Sequence, residues 1–255
     1  MTTVRVLLAL ASIHNWHIHQ TDVNTTFLHG DMLEEVYMKL RPGLYTQSKA
    51  DYYLFTKSNF NSFTTILVYV DDLLIAGNDM KEIDQLKSLI NKEFNIKDLG
   101  ELKYFLGMEV ARSKAGMNLC QRKYALDLLH DTGLLGAKPS TTPMDSVVKL
   151  YSQSGTQLSD ASKYRRLVGR LIYLTHTRPD IAYSVGHLSQ FLAKPTNTHY
   201  EAALRVVRYL KNAPGKGLLF PSQNDTFLVL VTLTGVPALT QEDPSLSFAS
   251  SLESL

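Results

Sequence analysis

Residues 64–77 constrain this chain most. Thr64-Thr65-Ile66-Leu67-Val68-Tyr69-Val70 is apolar and β-branched, and Leu73-Leu74-Ile75-Ala76-Gly77 answers it after only two residues. Two such runs at this spacing predict a tight antiparallel hairpin. The residues left for its tip are Asp71 and Asp72. A type I′ turn would favour Asn-Gly or Asp-Gly there. The tip therefore carries chemistry that the fold alone would not choose.

The surroundings read as alternating short elements. Residues 3–15 have apolar positions at helical spacing, and residues 17–23 read as a strand ending on Asp22. Val36-Tyr37-Met38 is a further candidate strand, and residues 45–51 are polar and irregular. After the hairpin, Asp79 caps a predicted helix, Glu82 stands at the capping-box position, and Ile83, Leu86, Ile90 and Phe94 form one face. Strands are expected over 107–112 and 117–120 with Gly116 at their turn, then a helix over 122–132. Residues 139–158 are rich in Pro, Ser and Thr and read as a linker. Helices follow over 160–175, 179–192 and 198–210. The expected division is a first unit over 1–145, a linker over 146–158, a helical unit over 159–220, and a tail over 221–255.

Composition excludes several classes. Cys120 is the sole cysteine, so neither a disulfide framework nor a cysteine zinc site is available. No apolar run approaches a membrane span, and residues 1–15 lack the pattern of a signal peptide. An intracellular setting, cytoplasmic or nuclear, is expected. The net charge of +2 is unevenly spread: no Lys or Arg follows Pro221, and residues 1–220 carry 26 basic against 20 acidic residues. A mildly basic body suits a polyanionic partner.

The carboxylates suggest one chemistry. Nucleotidyl transfer uses two divalent cations about 3.5–4 Å apart, clamping the attacking and leaving oxygens. Magnesium takes hard oxygens, often one or two carboxylates with substrate phosphates and water. A strand ending on Asp22 beside a hairpin bearing Asp71 and Asp72 would supply them. A solvated turn is the ordinary alternative for two adjacent acids. His14, His17 and His19 lie close in sequence, but no carboxylate or cysteine spacing completes a metal site, and Trp16 reads as packing.

The flanking strings decide between these readings. Tyr69-Val70-Asp71-Asp72-Leu73-Leu74 resembles the reverse transcriptase signature, and residues 66–78 resemble the polymerase of copia-type retrotransposons. So do His19-Gln20-Thr21-Asp22-Val23-Asn24-Thr25-Thr26-Phe27-Leu28-His29-Gly30-Asp31, Asp98-Leu99-Gly100-Glu101-Leu102-Lys103-Tyr104-Phe105-Leu106-Gly107, residues 140–144, residues 164–174 and Thr177-Arg178-Pro179-Asp180-Ile181. The resemblance implies an α+β fold: a reverse-transcriptase palm with an antiparallel sheet, followed by an α-helical thumb and connection region. It implies an RNA-directed DNA polymerase acting on an RNA or DNA template, a DNA primer and deoxynucleoside triphosphates, with two Mg2+ ions or Mn2+. Asp22 and Asp71 would be the principal metal ligands, with Asp72 assisting. Phe27 and Tyr69 would line the nucleotide site, Phe27 as the ring that excludes a 2′-hydroxyl. Phe105, Leu106 and Gly107 resemble the primer grip; ordinary strand packing is the alternative. Arg165, Arg166, Arg170, Arg205, Arg208 and Lys211 are candidates for nucleic-acid backbone contact, with a solvated helix face as the alternative.

Two departures stand out. Relatives carry a further segment of a few tens of residues between the regions of Arg41-Pro42-Gly43-Leu44 and Gln47-Ser48-Lys49-Ala50-Asp51, and most finger contacts are lacking at the N-terminus. The tail does not resemble the ribonuclease H domain with which relatives continue. Permissible codons for residues 231–235 and 239–246, read two bases later, spell strings resembling that domain's start, so a frameshift near 225–231 and a non-native tail are expected. The expectation is a degenerate polymerase, weakly active or inactive. A non-catalytic nucleic-acid-binding remnant and another two-metal nuclease are the alternatives.

Overall fold

The computed structural model describes residues 2–23, 46–47, 51–59, 61–145, 150–152 and 154–222. Phe27, the candidate strand 36–38 and the tail beyond Ser222 lie outside the described residues.

The first helix, α1 (Thr2–Ile13), is apolar on nearly every turn because it is covered from several sides. It leads into β1 (His17–Val23). Short strands β2 (Thr46–Gln47) and β3 (Leu54–Ser58) precede the hairpin of β4 (Phe63–Tyr69) and β5 (Asp72–Gly77). Helix α2 (Met80–Phe94) and strand β6 (Ile96–Glu101) complete an antiparallel sheet of order β2-β3-β4-β5-β1-β6. Its two faces alternate as the pleat requires. Ile18, Leu67 and Leu74 pack toward α1, while Ile66 and Ile75 meet Ile83 and Leu86 of α2. Asp79 caps α2 by accepting from the Lys81 amide. Glu82 does not close a capping box; it binds the Thr64 hydroxyl and Lys57 instead. Phe94, expected on the buried face, is the last residue of the helix and is 48% exposed.

A second antiparallel sheet holds β7 (Tyr104–Phe105), β8 (Met108–Ser113), β9 (Gly116–Cys120) and β10 (Leu218–Pro221), ordered β10-β9-β8-β7. Gly116 is the first residue of β9 rather than a turn residue. Its φ of 135° and the nearness of the Phe220 carbonyl require glycine there. Helix α1 fills the space between the sheets, sharing a core with Phe105, Met108, Leu119 and Phe220.

The helices α3 (Arg122–Asp131), α4 (Ala161–Leu174), α5 (Ala182–Ser189) and α6 (Asn197–Leu210) enclose a separate core. Pro179 opens a 3-10 turn before α5, so the expected helix over 179–192 is shorter and split. Tyr164 is fully buried at the centre and donates to the Leu188 carbonyl at 2.7 Å. His199 closes a capping box with Thr196, stacks on Phe191 at 4.0 Å and hydrogen-bonds to the Tyr151 carbonyl at 3.0 Å.

The packing corrects the expected division in three places. α3 belongs to the helical core through Ala125, Leu128 and Leu129, so that unit begins near residue 122 rather than 159. Leu150 joins the same core and Leu158 bonds to the Pro195 carbonyl, so the described part of 146–158 is packed, not a free linker. Residues 218–221, expected at the close of the helices and the start of the tail, return to the second sheet. The fold is thus α and β mixed, with two antiparallel sheets and, among the described residues, six α-helices.

Candidate functional site

The site is built on three neighbouring strands. In the β1–β5 register Asp22 stands directly opposite Asp72, and the Val23 amide donates to the Asp71 carbonyl at 2.9 Å. Residues directly opposed in an antiparallel pair share a face, with Cβ atoms about 4.5–5.5 Å apart. Asp22 and Asp72 therefore rise from one face of the sheet. Gln20, two residues before Asp22, lies on that face too and donates to Asp72 Oδ1 at 2.9 Å.

The hairpin tip differs from the sequence expectation by one residue. Tyr69 pairs with Asp72, so the two-residue loop is Val70-Asp71 and Asp72 already belongs to β5. Pairing Leu67 with Leu74 and Ile66 with Ile75 keeps both apolar faces buried, and a loop at 71–72 would break that match. Val70 has φ 53°, while Asp71 does not share the positive φ. This is the φ signature of a type II′ turn, which favours Gly at the first central position. A β-branched residue there is strained. Asp71 occupies the second central position, and its Oδ1 is buried with no hydrogen-bond partner. An orphaned carboxylate oxygen is costly, and a cation relieves it.

On the other side of β1, Lys97 of β6 stands opposite Asp22. Asp22 thus lies between a carboxylate and an ammonium. Sequence reasoning missed Lys97, because a register shift between Gln20 and Thr21 sets the alignment and spacing does not reveal it. Behind β1, Lys87 is buried, donates to Asp98 Oδ2 at 2.9 Å and lies 2.7 Å from His19 Nδ1. Burial, then the Lys87 charge, pushes the His19 imidazole down. Against its own desolvation, Asp98 is held below the usual carboxylate range by Lys87 and the Gly100 amide. This network ties β1, β6 and α2 together under Asp22.

Among the described residues no three His, Cys, Asp or Glu side chains gather as a metal site requires. Asp22 and Asp72 share the sheet face, whereas Asp71 belongs to the turn. The donors are all hard oxygens and one is orphaned, which fits a magnesium ion completed by substrate phosphates. Tyr69 is exposed beside them.

The other candidates separate clearly. Phe105 is buried in the core shared with α1, and Leu106 and Gly107 form the two-residue β7–β8 loop. Arg165 donates to the Leu192 carbonyl at 2.9 Å. Arg205 pairs with Asp145 and the Thr142 hydroxyl. Lys211 donates to the carbonyls of Leu135 and Ala137. These three hold the helical unit's own loops. Arg170 pairs with Asp131 at 2.7 Å and lies over the Tyr124 ring. Arg208 Nε is buried without a hydrogen-bond partner. Arg166 alone of the six is an exposed cation with no protein partner among the described residues. With Lys163 and Arg170 it lines an open pocket of about 550 Å³ between α3 and α4.

The family described as "Reverse transcriptase (RNA-dependent DNA polymerase)" matches residues 1–58 and 44–146, more than half of the chain. The chain belongs to this family. Similar relatives of this reverse transcriptase include the retrovirus-related Pol polyproteins from transposons RE1 and RE2 of Arabidopsis thaliana, 39% and 38% identical over 88% of the chain and 18% of each relative. The Pol polyprotein from transposon TNT 1-94 of Nicotiana tabacum is 33% identical over 86% of the chain and 20% of its own length. The chain thus spans about a fifth of the length of these relatives and is a copia-type retrotransposon reverse transcriptase fragment. The RE1 match runs over 261 positions yet uses 88% of the 255-residue chain, so it crosses tens of positions that this sequence lacks. No solved structure matches significantly. No described helix is long and apolar enough to cross a membrane.

Proposed function

We propose that this chain is the catalytic-core remnant of an RNA-directed DNA polymerase, with surviving metal ligands and little or no activity by itself. The observation that carries the reading is the cross-strand pairing of Asp22 with Asp72 beside the orphaned oxygen of Asp71. In this reading the two sheets with α1 and α2 are the palm, and the helical unit is the thumb and connection. Asp22 and Asp71 hold divalent magnesium or manganese; Asp72, already engaged by Gln20, assists. Such ions neutralise charge developing on the transferred phosphoryl group. Tyr69 lines the site of the incoming deoxynucleotide, Phe27 has the sugar-discriminating role that the family resemblance implies, and the β7–β8 loop supports the primer's 3′ end. The family match in two overlapping stretches and the positions missing against RE1 support the loss of a palm segment after Leu44. Phosphoryl transfer depends mostly on positioning and electrostatics, so losing positioning groups leaves ligands without turnover.

Primer extension by the purified chain, with Mg2+ or Mn2+, an RNA template and deoxynucleotides, should not exceed that of Asp71→Asn. Mn2+ binding read by paramagnetic resonance should nevertheless be present and be lost in Asp71→Asn. Robust extension abolished by that substitution would refute the inactivity. Unchanged Mn2+ binding would refute the ligand assignment.

The open cations Lys163 and Arg166 favour a second reading, in which the chain persists as a nucleic-acid-binding remnant. Duplex binding that weakens steeply with salt but ignores Mg2+ and nucleotide would support it.

A further inference from the structure

The loop between β7 and β8 has a feature that strand pairing does not explain. Tyr104 pairs with Glu109 and Phe105 with Met108, leaving Leu106 and Gly107 as the loop. Both have positive φ, 48° and 75°, the signature of a type I′ turn. Leucine is a poor occupant of that conformation. The tip is held from outside: the Tyr173 hydroxyl of α4 donates to the Leu106 carbonyl. The approach is so close that a Cβ on residue 107 would lie 2.6 Å from the Tyr173 oxygen.

Tyr173 is itself fixed. Its ring meets Tyr124 edge-on at 5.0 Å and His176 at 5.9 Å. Tyr124 carries the Arg170 guanidinium 5.4 Å from its centroid, and Arg170 is anchored on Asp131. α3 and α4 thus brace one side chain whose only polar group points at the loop. Burial, then Tyr124, raises the Tyr173 hydroxyl above its ordinary range, against a smaller opposing effect of the Gln121 side chain. Tyr104 and Tyr69 are both about half exposed, and Tyr69 closes the hairpin that bears Asp71.

We propose that Tyr173 is a positioning residue: its hydroxyl latches the Leu106-Gly107 loop, so that the helical unit sets where this loop stands relative to the acidic hairpin. The consequence for nucleic acid rests on the reading that the loop supports the primer's 3′ end. Loosening the latch would displace that end while leaving duplex affinity, which the backbone contacts dominate, largely intact.

The test uses the whole chain with Tyr173→Phe, which keeps the ring and removes only the hydroxyl, and with Tyr183→Phe, an exposed tyrosine on α5, as control. Amide hydrogen exchange of a peptide covering 104–109 should quicken about 2- to 10-fold in Tyr173→Phe, the scale of one net hydrogen bond. Peptides from α4 and from β4–β5 should not change. Unchanged exchange at 104–109, or quickening spread over α4, would overturn the latch. A primer–template with 2-aminopurine at the primer's 3′ terminus supplies the second readout. The wild-type chain should shift its fluorescence, and Tyr173→Phe should reduce that shift at unchanged duplex affinity. A wild-type chain that binds the duplex without shifting the probe would sink the primer-end reading while leaving the latch to the exchange result. A shift identical in the two proteins, with exchange quickened, would refute the positioning role.

Discussion

Val70→Gly should stabilise this chain while weakening the proposed cation site at Asp71. Val70 holds φ 53° at the first central position of the β4–β5 turn. Strain of that kind costs about 1–3 kcal/mol, and glycine removes it. Glycine adds unfolded-state entropy, a loss of about 0.5–1 kcal/mol. Val70 is 64% exposed, so little apolar burial is given up. The balance is a gain of roughly 0–2 kcal/mol, or a few degrees in Tm for a chain of this size. Val70→Ala isolates the cause, since alanine keeps the unfavourable φ and relieves only the β-branch. Thermal unfolding by circular dichroism should rank glycine above alanine. Mn2+ titration on the same samples should show the opposite order, because a relaxed turn no longer holds the Asp71 oxygen in place. A glycine variant melting below the alanine variant would refute the strain argument.

Two further outcomes follow from the helical unit. Asp180 receives both ends of the Arg178 guanidinium, the Tyr209 hydroxyl and Lys216, and these partners outweigh its desolvation to hold the carboxyl far below the usual range. Arg178 is 3% exposed, so Asp180→Asn leaves a buried cation unpaired and should cost about 3–5 kcal/mol in denaturant unfolding; a loss below about 1 kcal/mol would contradict the pairing. Burial lowers His199, and likewise His19 and His176, so the unfolded chain takes up protons near pH 6.5 while the folded chain resists. That stability is complete above about pH 6.5 and is lost as pH falls toward the folded values; Tm should drop between pH 7.5 and 5.5, and less so in His199→Gln.

The legible parts of this fold were those with strong local signals. The β4–β5 hairpin, the strand ending near Asp22 and the Asp79 cap of α2 all follow from period, spacing and side-chain chemistry. The turn register did not, because polar residues suggested the tip while apolar pairing across the strands decided it. β6 was missed because its side chains are mostly exposed and show no alternation. The spacing of Arg205, Arg208 and Lys211 marked one helix face but not its use, since the partners of Arg205 and Lys211 come from a loop 63 to 76 residues earlier. Lys97 and Tyr173 became visible only once strands and helices were side by side.

Strand β10 gives the helical unit an unusual attachment. The unit leaves the second sheet after Cys120 and returns at Leu218, on the neighbouring strand. Both of its ends are fastened to one patch of sheet, so it is an excursion with two tethers rather than a pendant lobe. Leu218 and Phe220 also close the core over α1, and the Ser12 hydroxyl donates to the Phe220 carbonyl at 2.6 Å. A reading-frame change beyond Ser222 therefore spares every described element, whereas one only a few codons earlier would cut one tether and uncover the N-terminal helix together.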